Sequence, residues 1–172
     1  DILIPTILIT VNPKLFNDTN EFYHCLVKDN ELVISARPIC TKFKKWQELK
    51  PQALIIRTIP NTEDKKYHQF TITPPPFFTN DALELISKLE IDHLVVDLPS
   101  IDRMSDNGIL GNHRIFWGDG SNPKGEINSN SINTITELTY IGDEVIDGFY
   151  FLNIQIPHFQ CDAAPSRPIL MK

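Results

Sequence analysis

The sequence predicts an α/β fold: a single domain over residues 1–172, with a central mixed sheet and flanking helices. Three observations predict it. Two apolar runs of strand length, "ALIIRTI" (53–59) and "HLVVDL" (93–98), read as strands covered on both faces. A helical apolar stripe in "TNDALELISKLE" (79–90) lies between them, and strand–helix–strand order implies a parallel crossover. The 172 residues are 41% hydrophobic and 22% charged, which suits one globular domain with a core of its own.

The remaining elements follow in chain order. "ILIPTILITV" (2–11) is rich in β-branched residues and reads as a strand closed by "NPK"; exposed, it would offer an edge to a partner. Residues 12–30 are polar and irregular, and "ELVISA" (31–36) is a short strand or edge. "TKFKKWQEL" (41–49) reads as a helix capped by Thr41 and stopped by Pro51. The long segment 60–78 contains three consecutive prolines, which forbid regular helix. In 79–90, Asp81 and Glu84 form a capping-box pattern, and Ala82, Leu83, Ile86 and Leu89 make the stripe. "GNHRIFW" (111–117) is a short helix, 118–131 a loop, and "GFYFLNIQI" (148–156) a late strand after "INTITELTYI" (132–141).

The bulk numbers exclude several classes. A net charge of −6 argues against a nucleic-acid partner, and the basic stretch 41–50 reads as a solvated helix face. Three cysteines without CxxC spacing read as free thiols in a reducing, cytoplasmic setting. No apolar run reaches the ~18 residues of a membrane span, so no membrane partner is expected. P-loop, GxGxxG, GxSxG and HExxH patterns are missing from the sequence.

The chemistry-bearing residues gather in the second half. The strand 93–98 ends in Asp97, Pro99 turns the chain out of strand geometry, and Ser100 and Asp102 follow in a loop at a strand's carboxyl end, where α/β sheets bind ligands. The alternative is that Asp97 and Ser100 merely cap a turn or the next helix. His113 sits beside Ile115, Phe116 and Trp117, as a core histidine would. Glu137 stands among apolar neighbours and, if buried, needs a cation, a metal or strong donors; otherwise it points to solvent. "PHFQCD" (157–162) and "YHC" (23–25) hold metal-ligand residue types at no standard spacing.

The run "HLVVDLPSIDR…DNGILGNHRIFW" resembles the cyclase family of metal-dependent hydrolases, which includes bacterial kynurenine formamidases. In that family a strand reading V-D-x-P-S-x-D precedes a histidine a few residues before an aromatic, matched here by Asp97, Pro99, Ser100, Asp102, His113 and Phe116. "PQALIIRTIPN" resembles the central strand ending in Arg57 and Thr58. "TITELTYI" resembles the segment carrying a ligating glutamate, Glu137, and the closing strand is matched by Asp162, Ser166 and Arg167. The similarity runs from about residue 51 onward.

That resemblance implies a swivelling β/β/α cyclase-like fold and hydrolysis of an amide-type C–N bond by a metal-activated water. His113 and Glu137 would ligate a divalent metal, zinc or manganese, with room for two ions. Asp97, Ser100 and Asp102 would orient the ligands, and Phe116 and Trp117 would meet a small-molecule amide. No catalytic acid or base is assigned. The family's His-x-Gly-Thr-His-x-Asp motif has no match here. The expectation is therefore a domain lacking its N-terminal segment, with that segment or a partner chain supplying the other ligands, in a homo-oligomer. A non-catalytic cyclase-fold protein serving ligand binding or assembly is the alternative.

Overall fold

A computed structural model describes residues 3–172, so Ile2 of the expected first strand lies outside the described residues. The strands are β1 (Ile4–Val11), β2 (Lys14–Leu15), β3 (Leu32–Ile34), β4 (Ala53–Thr58), β5 (Phe77–Phe78), β6 (His93–Val96), β7 (Thr134–Thr136), β8 (Gly148–Gln155) and β9 (Arg167–Met171). The helices are α1 (Ala36–Phe43), α2 (Asn80–Lys88) and α3 (Gly111–Trp117). The main sheet has the order β7-β6-β4-β1-β8-β9. It is parallel from β7 to β1 and antiparallel at β8 and β9, hence mixed as expected. A second sheet has the order β2-β3-β5.

The period-2 alternation of the central strands divides two cores. Ile7, Ile9 and Val11 of β1, Leu54 and Ile56 of β4, and Leu94 and Val96 of β6 pack with Ile39 and Phe43 of α1, Leu83 and Ile86 of α2, and Ile115 of α3. The intervening Leu8, Ala53, Ile55 and Val95 face the opposite way, toward Ile141, Tyr150 and Leu152. All six residues of β4 are buried, which is why its sequence is a continuous apolar run.

Four expectations are corrected. The helix read at 41–49 is centred earlier: α1 starts at Ala36 after Ser35, and Lys44–Leu49 continue as a 3-10 helix. Pro38 is accommodated because the first turn of a helix has no intrahelical use for its N–H. Thr41 is mid-helix, its hydroxyl donating back to the Arg37 carbonyl at 2.9 Å. In α2 the cap is Thr79, whose Oγ1 accepts from Ala82 N at 3.1 Å. Asp81 instead accepts from Phe22 N at 2.5 Å, so no capping box forms with Glu84. Finally, β1 is no exposed edge; it lies between β4 and β8, and the warrant for association through residues 2–11 disappears.

Candidate metal centre

At the carboxyl end of β6 the chain loops over to α3, and Asp102 organises the start of that helix. Its Oδ1 accepts from Asn112 N at 2.8 Å, and its Oδ2 accepts from His113 N at 3.3 Å and from the His113 ring Nδ1 at 2.6 Å. A carboxylate can only accept, so Nδ1 carries a proton, and in the neutral ring Nε2 presents its lone pair. The ring is also braced by Trp117, one turn along α3, with ring centroids 5.1 Å apart. Asn112 Nδ2 donates to Phe78 O and Ile101 O, both at 2.8 Å, which seats α3 against the core.

Glu137 follows β7 directly, and its Oε1 stands 3.6 Å from His113 Nε2. That is too long for a hydrogen bond and sets two acceptors face to face. Glu137 Oε1 accepts from Ile101 N at 3.0 Å, and the Ser100 hydroxyl also donates to this carboxyl. Ser100 Oγ in turn accepts from Asp102 N at 3.1 Å, so one hydroxyl ties the two carboxylates into a single frame. Burial raises the Glu137 pKa above the ordinary carboxylate range, while the bonds from Ile101 N and the Ser100 hydroxyl, and the His113 ring when it is protonated, pull the other way. Backbone strain flanks the pair: Leu110 (φ 53°) precedes α3 and Leu138 (φ 57°) follows Glu137, both in the left-handed region that leucine avoids.

His113 and Glu137 open onto a cavity of about 800 Å³ walled by Trp117, Ile135, Leu138, Ile156 and Phe159. Phe116 is not among its walls. Its side chain is only 2% exposed and packs in the core on the inner face of α3, so of the two aromatics only Trp117 reaches the cavity. Asp97 is also displaced from the expected role. Its carboxylate accepts from Thr58 N at 2.7 Å, Thr58 Oγ1 at 2.9 Å and Lys65 Nζ at 2.6 Å, away from His113. Asp97 therefore fixes the end of β4 and the 60–78 segment, while Asp102 and Ser100 frame the pair. Of the "PHFQCD" residues, Cys161 and Asp162 line the cavity without joining a cluster of three ligand types among the described residues.

The pair fits a divalent ion by two tests. Ligands at about 2.0–2.1 Å from a tetrahedral ion stand ~3.3–3.4 Å apart, close to the 3.6 Å observed between Nε2 and Oε1. An imidazole with its other nitrogen held by a carboxylate, beside a second carboxylate, is a donor set suited to zinc or manganese. The fit is partial. Catalytic zinc commonly takes three protein ligands, and among the described residues this pair is part of no group of three.

Two solved structures share the overall fold. A potential metal-dependent hydrolase with cyclase activity superposes with a TM-score of 0.56 at 17% identity, over 98% of this chain and 65% of the other. The likeness is one of fold. A predicted metal-dependent hydrolase from Bacillus stearothermophilus aligns equally well, with a TM-score of 0.56 at 18% identity, over 98% of this chain and 63% of that one. The chain thus spans just under two thirds of the length of these neighbours. No family model matches the sequence, and no curated protein matches it.

One cluster was not legible beforehand. His24, set aside as part of "YHC", lies with Asp102 and Asp106 so that a ligand atom from each falls within 4.8 Å of the others. His24 and Asp102 are 78 positions apart, and no local spacing signals their meeting. Asp106 reads as ordinary turn chemistry in "SDNG", and its carboxylate does accept from Gly108 N at 2.8 Å and Leu110 N at 2.5 Å.

Proposed function

We propose that this chain is part of a metal-dependent hydrolase of the cyclase type, cleaving an amide-type C–N bond in a small substrate as kynurenine formamidases do. The single observation behind this reading is the facing of His113 Nε2 and Glu137 Oε1 across 3.6 Å, with Nδ1 already committed to Asp102. Two facing lone-pair donors call for a cation between them. The solved neighbours of like fold, called metal-dependent hydrolases, support the same reading.

A divalent ion held by His113 and Glu137 would polarise a substrate carbonyl and bring the pKa of water toward neutrality. The chain's own residues do the rest. Asp102 holds the His113 tautomer, so the ring offers nitrogen rather than a proton. Ser100 and Ile101 N keep the Glu137 carboxyl from rotating away. Trp117, Ile156 and Phe159 give the cavity an apolar wall that suits an aromatic or otherwise apolar acyl amide. The remaining ligands would come from a partner chain, within a homo-oligomer, or from polypeptide outside residues 1–172.

The test compares this chain with the longer polypeptide encoded by its message, using N-formyl anilides and added Zn2+ or Mn2+. The expected result is turnover by the longer polypeptide, its loss in His113→Ala and Glu137→Ala, and only weak metal uptake at His113 and Glu137 in residues 1–172 alone. Tight zinc held stoichiometrically by His113 and Glu137 in the short chain, or a longer polypeptide that binds metal there and hydrolyses no amide, would overturn it. A second reading, a non-catalytic cyclase-fold protein for ligand binding or assembly, is favoured by one observation, that the pair supplies two ligands rather than three. It predicts no turnover by either polypeptide.

A further inference from the structure

Beside the His113–Glu137 pair, and separate from it, two carboxylates are buried together. Asp102 is 2% exposed and Asp106 5% exposed. Buried charges of one sign need a cation nearby, and the guanidinium of the intervening Arg103 is turned to Glu31 instead, at 2.8 Å. Asp102 is met by the His113 ring at 2.6 Å and accepts from the Tyr23 hydroxyl at 3.3 Å, and the His24 imidazole lies against both carboxylates. His24 Nδ1 lies 3.1 Å from Asn80 Oδ1, an acceptor, so Nδ1 carries the proton and Nε2 holds the lone pair. Nε2 is fully buried with no hydrogen-bond partner.

The surroundings hold that ring in place. His24 N also donates to Asn80 Oδ1 at 2.7 Å, and Asn80 Nδ2 donates to Asn112 Oδ1 at 2.7 Å, linking His24 to α2 and α3. The Tyr23 ring packs 4.3 Å from it, centroid to centroid. Position 111 must be glycine here, because a Cβ would collide with the His24 ring itself. The His24 ring, its Nε2 buried and unpartnered, thus brings a nitrogen together with one oxygen from each of two buried carboxylates, the three atoms mutually within 4.8 Å.

We propose that His24, Asp102 and Asp106 form a second divalent-cation site, distinct from the His113–Glu137 centre and coupled to it through Asp102. One imidazole and two carboxylates suit zinc or manganese. Asp102 would then hold His113 through Oδ2 and the second ion through Oδ1, the long 3.3 Å bond from the Tyr23 hydroxyl giving way while that from Asn112 N stays. Loading this site would stiffen the loop 102–110 and fix His113 in its working orientation. Asp106 binds the ion while keeping its bonds to Gly108 N and Leu110 N, since each oxygen retains a second lone pair.

The experiment uses the His113→Gln/Glu137→Gln double variant, which removes the other centre, so that the two proposals fail separately. Zn2+ is titrated calorimetrically and by 1H–15N correlation of the histidine rings. The expected result is one equivalent of Zn2+ bound, a shift confined to His24 Nε2, and at least tenfold weaker binding when His24→Gln is added. The ring spectra need no further substitution, so they decide the matter even if His24→Gln disturbs folding. No uptake by the double variant, an unmoved His24 resonance, or binding weakened less than tenfold by His24→Gln in a folded protein would overturn the proposal.

Discussion

Glu137 carries a cost in the absence of a cation. Its pKa is raised by burial, so its folded value lies above its unfolded one. Such a group leaves stability intact below the unfolded pKa, and stability falls as pH rises through the folded value. Glu137→Gln keeps the acceptor for Ile101 N and removes the charge. It is expected to stabilise the metal-free protein by about 0.5–2 kcal/mol at neutral pH, and by nothing below about pH 4. Urea unfolding at the two pH values measures this, and a variant less stable at neutral pH would contradict the placement of Glu137 in a cation-binding frame. Asp102→Asn acts on the other side of the pair. Weakened orientation of His113 should lower metal affinity by about 10–100-fold, read by competition with a chromophoric chelator. The left-handed Leu110 and Leu138 escaped the sequence reading because leucine, unlike Gly or Asn, gives no sign of a positive φ.

At the level of elements, helix capping separates what pattern reveals from what only packing decides. The stripe of α2 was legible, but its cap was misread, because Asp81 was drawn off by the Phe22 amide and Thr79 took its place. Thr79→Ala should therefore cost about 1 kcal/mol. Thr41→Ala, at the position the sequence marked as a cap, should stay within ~0.5 kcal/mol, since its hydroxyl only bonds back within α1. Thermal denaturation of both variants checks the contrast. The register of α1 was obscured by Pro38, which reads as a helix breaker until it falls in the first turn. Conversely, α3 was placed correctly from seven residues, because Ile115 and Phe116 had a core to fill.

Across the whole molecule, the sheet was legible wherever a strand is buried on both faces, as β4 and β6 are. Its strand order was not, since pairing β1 between β4 and β8 depends on contacts more than forty residues apart. The candidate site divides in the same way. His113, Glu137, Ser100 and Asp102 converge, whereas Asp97, identical in type and equally near the strand end, serves a different purpose. With Lys65 it makes an ion pair of 2.6 Å, the two side chains 13% and 0% exposed, pinning the proline-rich segment across the carboxyl ends of β4 and β6. Lys65→Met would leave that carboxylate buried without its cation and should cost about 3–5 kcal/mol, with faster proteolysis between residues 60 and 78. Limited proteolysis with mass mapping reads both effects. Among the described residues no helix is long and apolar enough to cross a membrane.

Everything turns on whether His113 and Glu137 grip one ion. Anomalous diffraction at the zinc edge, from crystals of the protein equilibrated with Zn2+, addresses that question most directly. The account predicts a peak about 2.0–2.2 Å from both His113 Nε2 and Glu137 Oε1, with Asp102 still bonded to Nδ1. A structure in which Nε2 and Oε1 draw together into a hydrogen bond of about 2.8 Å, with no peak between them at saturating zinc, would contradict it.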